Sequence, residues 1–277
     1  MPPLKVTDDL IRHAWHTYLM TGEMPPELNP AWFERKFFRP VLKRLPKSPR
    51  CSICYVPFNG IGGNLSRIFL HVERSRLNPH LCNLCERFAT VYHGGVEVEI
   101  SMLFVDVRGS TTIAENTSPE EFSKLIKRFY SKVTEVFYRN NGFVEKLVGD
   151  EVAGFFVPGF AGAQHARVAV ETGRQIMQSL GYGASSKAWI PAGIGINTGL
   201  AYVGSVPVEA GVSDIAILGD SVNTTARLTS QAGAGEILIS DATLQAAGLN
   251  STLLQSRTLK LKGKSQEVTS WVLNSEI

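Results

Sequence analysis

The chain has 277 residues, 44% of them hydrophobic, and 28 Lys/Arg against 25 Asp/Glu give a formal net charge of +3. That length holds one full catalytic domain and a smaller module. No stretch reaches the roughly 18 to 20 uninterrupted apolar residues of a membrane span, and the start Met1-Pro-Pro-Leu-Lys has no signal-peptide core, so a cytoplasmic protein without membrane contact is expected.

Charge is uneven along the chain. Residues 1–92 carry 13 Lys/Arg against 7 Asp/Glu, whereas residues 93–277 carry 15 against 18. The basic charges are scattered, which reads as a solvated face, and nucleic acid is not expected as the main partner. Three segments follow: a helical region over 1–45, a four-cysteine module over 46–93, and a larger domain over 94–277.

In the first segment, Leu10, Ile11, Trp15 and Leu19, then Trp32, Phe33, Phe37 and Phe38, predict two short helices broken at Pro25-Pro26. The proline-rich and basic stretch Arg39–Arg50 reads as a connector. All four cysteines then fall together as Cys51-x-x-Cys54 and Cys82-x-x-Cys85. Four thiolates at that spacing close a tetrahedral zinc-ribbon-like site with one structural Zn²⁺ per chain. An iron–sulfur cluster uses the same ligation, and disulfides are disfavoured in a chain without a secretion signal. His71 and His80 are read as surface residues, and Tyr55–Leu81 as a hairpin turning at Asn59-Gly-Ile-Gly-Gly63.

After Gly94-Gly95, the apolar run Ile100–Val107 predicts a buried strand. Ser118, Pro119 and Glu121 form a capping-box signature for a helix whose apolar residues from Phe122 to Phe137 recur at helical spacing. Phe143–Val148 and Val152–Val157 predict a hairpin with Asp150 at its tip, and a second helix covers about Ala161–Leu180. Strands fit Ala192–Asn197, Ala201–Ser205, Asp214–Leu218, Glu236–Ile239, Thr258–Leu261 and Val268–Leu273, with helices at Ser221–Gln231 and Asp241–Ala247. The order from Ile100 to Ile196 is that of a ferredoxin-like βαββαβ core, so the fold class is α/β (α+β).

Asp106 ends the first strand and Asp150 tips the hairpin. If those strands are neighbours, the two carboxylates suit a pair of Mg²⁺ or Mn²⁺ ions that activate a hydroxyl and neutralise a leaving group. The following turn Arg108-Gly-Ser-Thr-Thr112 offers backbone N–H groups to a polyphosphate. Further on, Asn223 and Arg227 lie four apart on one helical face, where a guanidinium can stabilise charge on a transferring phosphoryl group.

Together these motifs resemble the class III adenylate/guanylate cyclase catalytic domain over roughly Val96–Val272. Phe104-Val-Asp106-Val-x-Gly-Ser-Thr111 looks like the first metal motif, Lys146-Leu-Val-Gly-Asp150 the second, and Val222-Asn223-x-x-x-Arg227 the transition-state motif. Gly195-Ile-Asn-Thr-Gly199 with Val203-Gly204, and Leu261-Lys262-Gly263-Lys264, match later signatures. The resemblance implies a homodimer with shared sites. Asp106, Asp150 and the Val107 carbonyl of one chain would bind two metals, and Lys146, Asn223 and Arg227 would come from the partner, with Lys262 or Lys264 on phosphates. The implied reaction closes a nucleoside triphosphate into a 3′,5′-cyclic nucleotide and pyrophosphate.

Three positions depart from or refine the pattern. Lys146 stands where adenylate cyclases of the family have Lys and guanylate cyclases Glu, which points to ATP. Ala216 occupies the place of an adenine-accepting Asp or Thr/Ser, and Gly193 that of an Arg in many relatives. A second expectation is a pyrimidine (UTP/CTP) cyclase, similar to those of bacterial antiphage systems. A third, of another class, is an inactive cyclase-like nucleotide sensor whose zinc module binds nucleic acid.

Overall fold

The computed structural model of the chain describes residues 7–22, 50–51, 56–75, 82–85, 92–183, 188–207, 213–259 and 268–274. The second predicted N-terminal helix, residues 39–49 of the connector, Cys54, His80, Lys262 and Lys264 lie outside these residues. The chain divides into two compact units, Met1–Val98 with Tyr202–Ile217, and Glu99–Ala201 with Leu218–Ile277. Residues 202–217 belong to the first of these units. Among the described residues no helix is long and apolar enough to cross a membrane.

The N-terminal unit holds helix α1 (Asp8–Thr21), capped by the Thr7 side chain, which accepts from the Leu10 N–H, and closed by Gly22 at φ 72°. Its Trp15 is buried and donates from Nε1 to the Tyr92 carbonyl at 3.2 Å. Helix α2 spans Gly60–Leu70. This corrects the expected hairpin: Asn59-Gly-Ile-Gly-Gly63 begins a helix instead of turning a strand. A Cβ at Gly63 would stand 2.5 Å from the Phe58 carbonyl carbon, so the glycine serves a close backbone approach and not a turn.

The larger unit is built on a mixed sheet. The strands of the chain are β1 (Gly94–Val107), β2 (Phe143–Val148), β3 (Glu151–Phe156), β4 (Ala192–Pro207), β5 (Ser213–Leu218), β6 (Glu236–Ser240), β7 (Gln255–Leu259) and β8 (Val268–Asn274), of which residues 94–98 of β1, 202–207 of β4 and 213–217 of β5 fall in the N-terminal unit. They run in the order β2-β3-β1-β4-β6-β8-β7, with β5 paired to β4. The first four positions give the interleaved order of the βαββαβ core read from the sequence. One strand boundary is corrected: Ala192–Asn197 and Ala201–Ser205 are a single continuous strand, β4.

The helices here are α3 (Ser110–Glu115), α4 (Pro119–Arg139), α5 (Pro158–Ala161), α6 (His165–Ser179), α7 (Asp220–Gln231) and α8 (Asp241–Ala246). Helix α4 starts as its sequence dictates: Ser118 accepts from the Glu121 N–H, Glu121 accepts from the Ser118 N–H, and Pro119 fills the first turn. The buried side chains of α4, Ile126, Phe129, Val133, Val136 and Phe137, join Leu103, Val105, Val107 and Val152 of the sheet and Ala169, Val170 and Ile176 of α6 in one core. Phe137 and Phe156 stack at 5.6 Å, and a Cβ at Gly154 would meet the Phe137 ring at 2.4 Å. On the other sheet face a smaller cluster joins Leu228 and Ala232 of the α7 end to Leu238, Leu259 and Val272.

Candidate active site

The site follows from strand register. β1 and β3 are antiparallel with Asp106 opposite Glu151, and the Val107 N–H donates to the Asp150 carbonyl at 3.2 Å. The neighbourhood expected for Asp106 and Asp150 is therefore present. Side chains alternate along a strand, so those of β1 at 103, 105 and 107 point into the helix-covered core, whereas Met102, Phe104 and Asp106 point to the other face. The pairing carries Glu151 and, through β2, Val148 and Lys146 onto that same face. That face is open at its β2 edge, where Val148 is 57% exposed, while Met102 and Phe104 on it are buried.

The hairpin tip is held from the core side. Gly149 takes φ +60°, which suits the first central position of a two-residue hairpin and costs other residues strain. Tyr130 of α4 donates its hydroxyl to the Gly149 carbonyl at 2.7 Å. Gly109, at φ +66°, similarly lets the chain leave β1 and enter α3. Asp150 and Asp106 are each partly exposed. Glu151 is held above the usual carboxylate range by burial, an effect that Lys146 opposes and Asp150 reinforces.

Two residues here were not singled out from the sequence. Arg108 forms an ion pair with the Asp106 carboxylate, donates to the Ser230 carbonyl at the end of α7 at 3.2 Å, and donates its backbone N–H to the Pro191 carbonyl at 2.9 Å. Its guanidinium is the counter-charge of an acidic group that includes Asp150 and Glu151. Glu151 is the third carboxylate, and its signal was its place directly after Asp150. A donor set of Asp106, Asp150 and the Val107 carbonyl has the hard oxygen chemistry that Mg²⁺ or Mn²⁺ selects, with Arg108 as the charge these ions would displace.

The remaining expected residues fall elsewhere. Asn223 and Arg227 lie on α7, whose buried side is Thr224, Thr225, Leu228 and Thr229; Asn223 is exposed and Arg227 half-buried. Among the described residues no hydrogen bond or ion pair joins Asn223, Arg227 or Lys146 to Asp106 or Asp150. Lys146 is half-exposed on edge strand β2, 4.0 Å from Glu145, where a bulge shifts the register between Val144 and Lys146. Ala216 sits half-buried on β5 in the N-terminal unit. At Gly193 a Cβ would stand 2.7 Å from the Ala232 carbonyl oxygen, so the strand has no room for the Arg of many relatives.

The cysteines form a second candidate centre within the N-terminal unit. Cys51, Cys82 and Cys85 are buried, none is in a disulfide, and their sulfurs lie within 4.8 Å of one another. Tetrahedral zinc–thiolate bonds of about 2.3 Å place sulfurs about 3.8 Å apart, so the spacing fits a metal. Backbone N–H groups of Cys82 and Cys85 donate to the sulfurs of Cys51 (3.3 Å) and Cys82 (3.4 Å), which favours thiolates. A three-cysteine cluster therefore precedes the larger unit.

The family model described as the adenylate and guanylate cyclase catalytic domain matches residues 95–275. An adenylate cyclase of Anabaena cylindrica is 26% identical over 180 residues, 61% of this chain and 36% of that protein. The chain thus spans about a third of the length of the curated relatives it matches. Among solved structures, the guanylyl cyclase Cya2 is 28% identical with TM-score 0.58, covering 65% of this chain and 93% of that one. The adenylyl cyclase CyaB from P. aeruginosa is 28% identical with TM-score 0.54, covering 65% and 96%.

Proposed function

The chain belongs to the adenylate and guanylate cyclase catalytic domain family, and we propose that it is a homodimeric nucleotidyl cyclase, acting first on ATP. The observation that carries this reading is the open sheet face bearing Asp106, Glu151 and Lys146, together with a helix whose Asn223 and Arg227 meet no site carboxylate among the described residues. Such half-sites are complete only when a second copy supplies the missing half, and two-fold symmetry then makes two equivalent sites.

Asp106 and Asp150 would hold the metals, with the Val107 carbonyl as a further ligand, and the bound ions would supply activation of the ribose hydroxyl and neutralisation of phosphate charge. The turn after Arg108 lies along the polyphosphate. The partner's Asn223 orients the ribose, and the partner's Arg227 meets the charge that grows on the α-phosphate. The ribose O3′–Pα bond forms, the bond between Pα and the oxygen bridging to the β-phosphate breaks, that oxygen leaves as part of pyrophosphate, and the 3′-hydroxyl proton passes to solvent.

Lys146 supports ATP. Ala216 supports the second reading, a pyrimidine cyclase, because a methyl group accepts no hydrogen bond from an adenine amino group. The solved neighbours include both a guanylyl and an adenylyl cyclase at equal identity, so likeness alone does not choose the base. The cysteine cluster is assigned one structural Zn²⁺, with Cys54 as its fourth ligand. Purified protein incubated with each of ATP, GTP, CTP and UTP plus Mn²⁺, with products read by mass spectrometry, tests the activity and the choice of base. Cyclic AMP supports the first reading and cyclic UMP or CMP the second; no cyclic product in a folded dimer refutes both.

A further inference from the structure

Helix α7 lies on strand β4 at unusually close range. Gly195, Asn197 and Gly199 alternate on one strand face, and Ser221, Thr225 and Thr229 line the facing side of the helix at four-residue spacing. A Cβ at Gly195 would stand 2.3 Å from the Thr229 nitrogen and 2.8 Å from the Thr225 carbonyl oxygen, and one at Gly199 would stand 2.6 Å from Ser221 Oγ. Between these two bare positions Asn197 is the single side chain. It is 6% exposed, and its Nδ2 donates to the Ser221 carbonyl at 3.0 Å.

The two ends of α7 are held differently. The C-terminal end packs Leu228 and Ala232 against Leu238, Leu259 and Val272, and Arg108 donates to Ser230. The N-terminal end has no such apolar anchor among the described residues: its inward residues are Ser and Thr, and an open cavity of about 540 Å³, lined by Asn197, Asp220, Ser221, Thr224 and Asp241, flanks it. Among the described residues the other side-chain bond to the Ser221 carbonyl comes from within the helix, Thr225 Oγ1 at 2.8 Å. Asn197 thus tethers the first turn of α7 to strand β4, and one turn on Thr225 Oγ1 lies 3.8 Å from the Met102 sulfur of β1.

We infer that Asn197 is a positioning residue, which acts through α7 to set where Asn223 and Arg227 stand. Its own side chain is turned to the helix backbone. A buried polar tether fixes one geometry where an apolar contact would allow sliding. The catalytic part of this inference rests on the cyclase reading; the tether itself does not.

The test uses Asn197→Asp, equal in size but without the donor, and Asn197→Ala, in the full-length protein. Hydrogen exchange is expected to rise about tenfold or more for amides of residues 220–227, while β1 and β3 amides keep their protection. Turnover should fall about tenfold to hundredfold with KM for the Mn²⁺–nucleotide within about threefold, as for a mispositioned group that acts in the transition state. Unchanged exchange in α7, or an equal rise across the whole sheet, overturns the inference. If the wild type cyclises no nucleotide, the cyclase reading fails and exchange alone decides the tether. If the Asp variant does not fold, the Ala variant carries the same comparison.

Discussion

Replacing Gly195 with Ala adds one methyl group at the place where strand and helix are closest. The new carbon would stand 2.3 Å from the Thr229 nitrogen, 2.4 Å from Thr229 Oγ1 and 2.8 Å from the Thr225 carbonyl oxygen. Two of these are helix backbone atoms, so no rotamer change relieves the clash, and α7 must move out by about 1 Å to restore ordinary contact near 3.4 Å. Overpacking of this kind costs about 1 to 3 kcal/mol. For a unit of this size each kcal/mol lowers Tm by about 2 to 4 °C, so a fall of about 2 to 12 °C is expected. The same 1 Å displacement carries Asn223 and Arg227 with it and should lower turnover about a hundredfold. Gly173→Ala is the matched control: its nearest atom is the terminal methyl of Ile196 at 3.2 Å, and an interior helix glycine replaced by alanine gains about 1 kcal/mol of propensity. Thermal and urea melts of both variants, with turnover of each, decide the matter. A Gly195→Ala protein that melts within 1 °C of wild type and keeps full activity would refute the reasoning.

Asp106→Asn should abolish Mn²⁺-dependent turnover while sedimentation still shows a dimer; retained activity would remove Asp106 from the metal site. Arg108→Gln leaves the Asp106, Asp150 and Glu151 carboxylates without their guanidinium, so the metal-free protein should melt lower than wild type and gain more Tm on adding Mn²⁺. An equal gain in both proteins would contradict a shared site for Arg108 and the metal. Elemental analysis should find about one zinc per chain, lost in Cys51→Ser and in Cys82→Ser, and zinc retained in both would break the assignment. Buried His165, bonded through Nδ1 to Ser101 Oγ at 2.9 Å, is held below the ordinary imidazole range by burial, partly offset by Glu99. The unfolded chain then binds a proton that the folded chain refuses, so this contribution is complete above about pH 6.5 and is lost as pH falls below it. Melts from pH 8 to 5 should show that decline in wild type and a shallower one in His165→Gln; parallel curves would assign the slope to other groups.

Much of this protein is local and therefore legible in the chain. The Ser118–Glu121 box and the apolar spacing of α4 act within a few residues, so the helix start could be read directly. The places of Asp106 at a strand end and Asp150 at a hairpin tip were legible because the change from apolar to polar sequence and a glycine mark them, and the β2-β3-β1-β4 order agreed with the strand–helix alternation. Cysteine spacing likewise marked a metal-type cluster. Other features are set by atoms distant in sequence. Gly63 and Gly199 read as breaks, yet the first lies in a helix because the Phe58 backbone approaches it, and the second lies inside continuous β4 because Ser221 occupies the space of its Cβ. The same holds for the pairing of Arg108 with Asp106, the tether from Asn197 to Ser221, and the grouping of residues 202–217 with the N-terminal unit. The sequence by itself determined most elements of the βαββαβ core and the clustering of the cysteine sulfurs. Only tertiary structure decided which glycines are turns and which are contacts, because a missing side chain looks the same in sequence whether the backbone bends there or a neighbour fills the space.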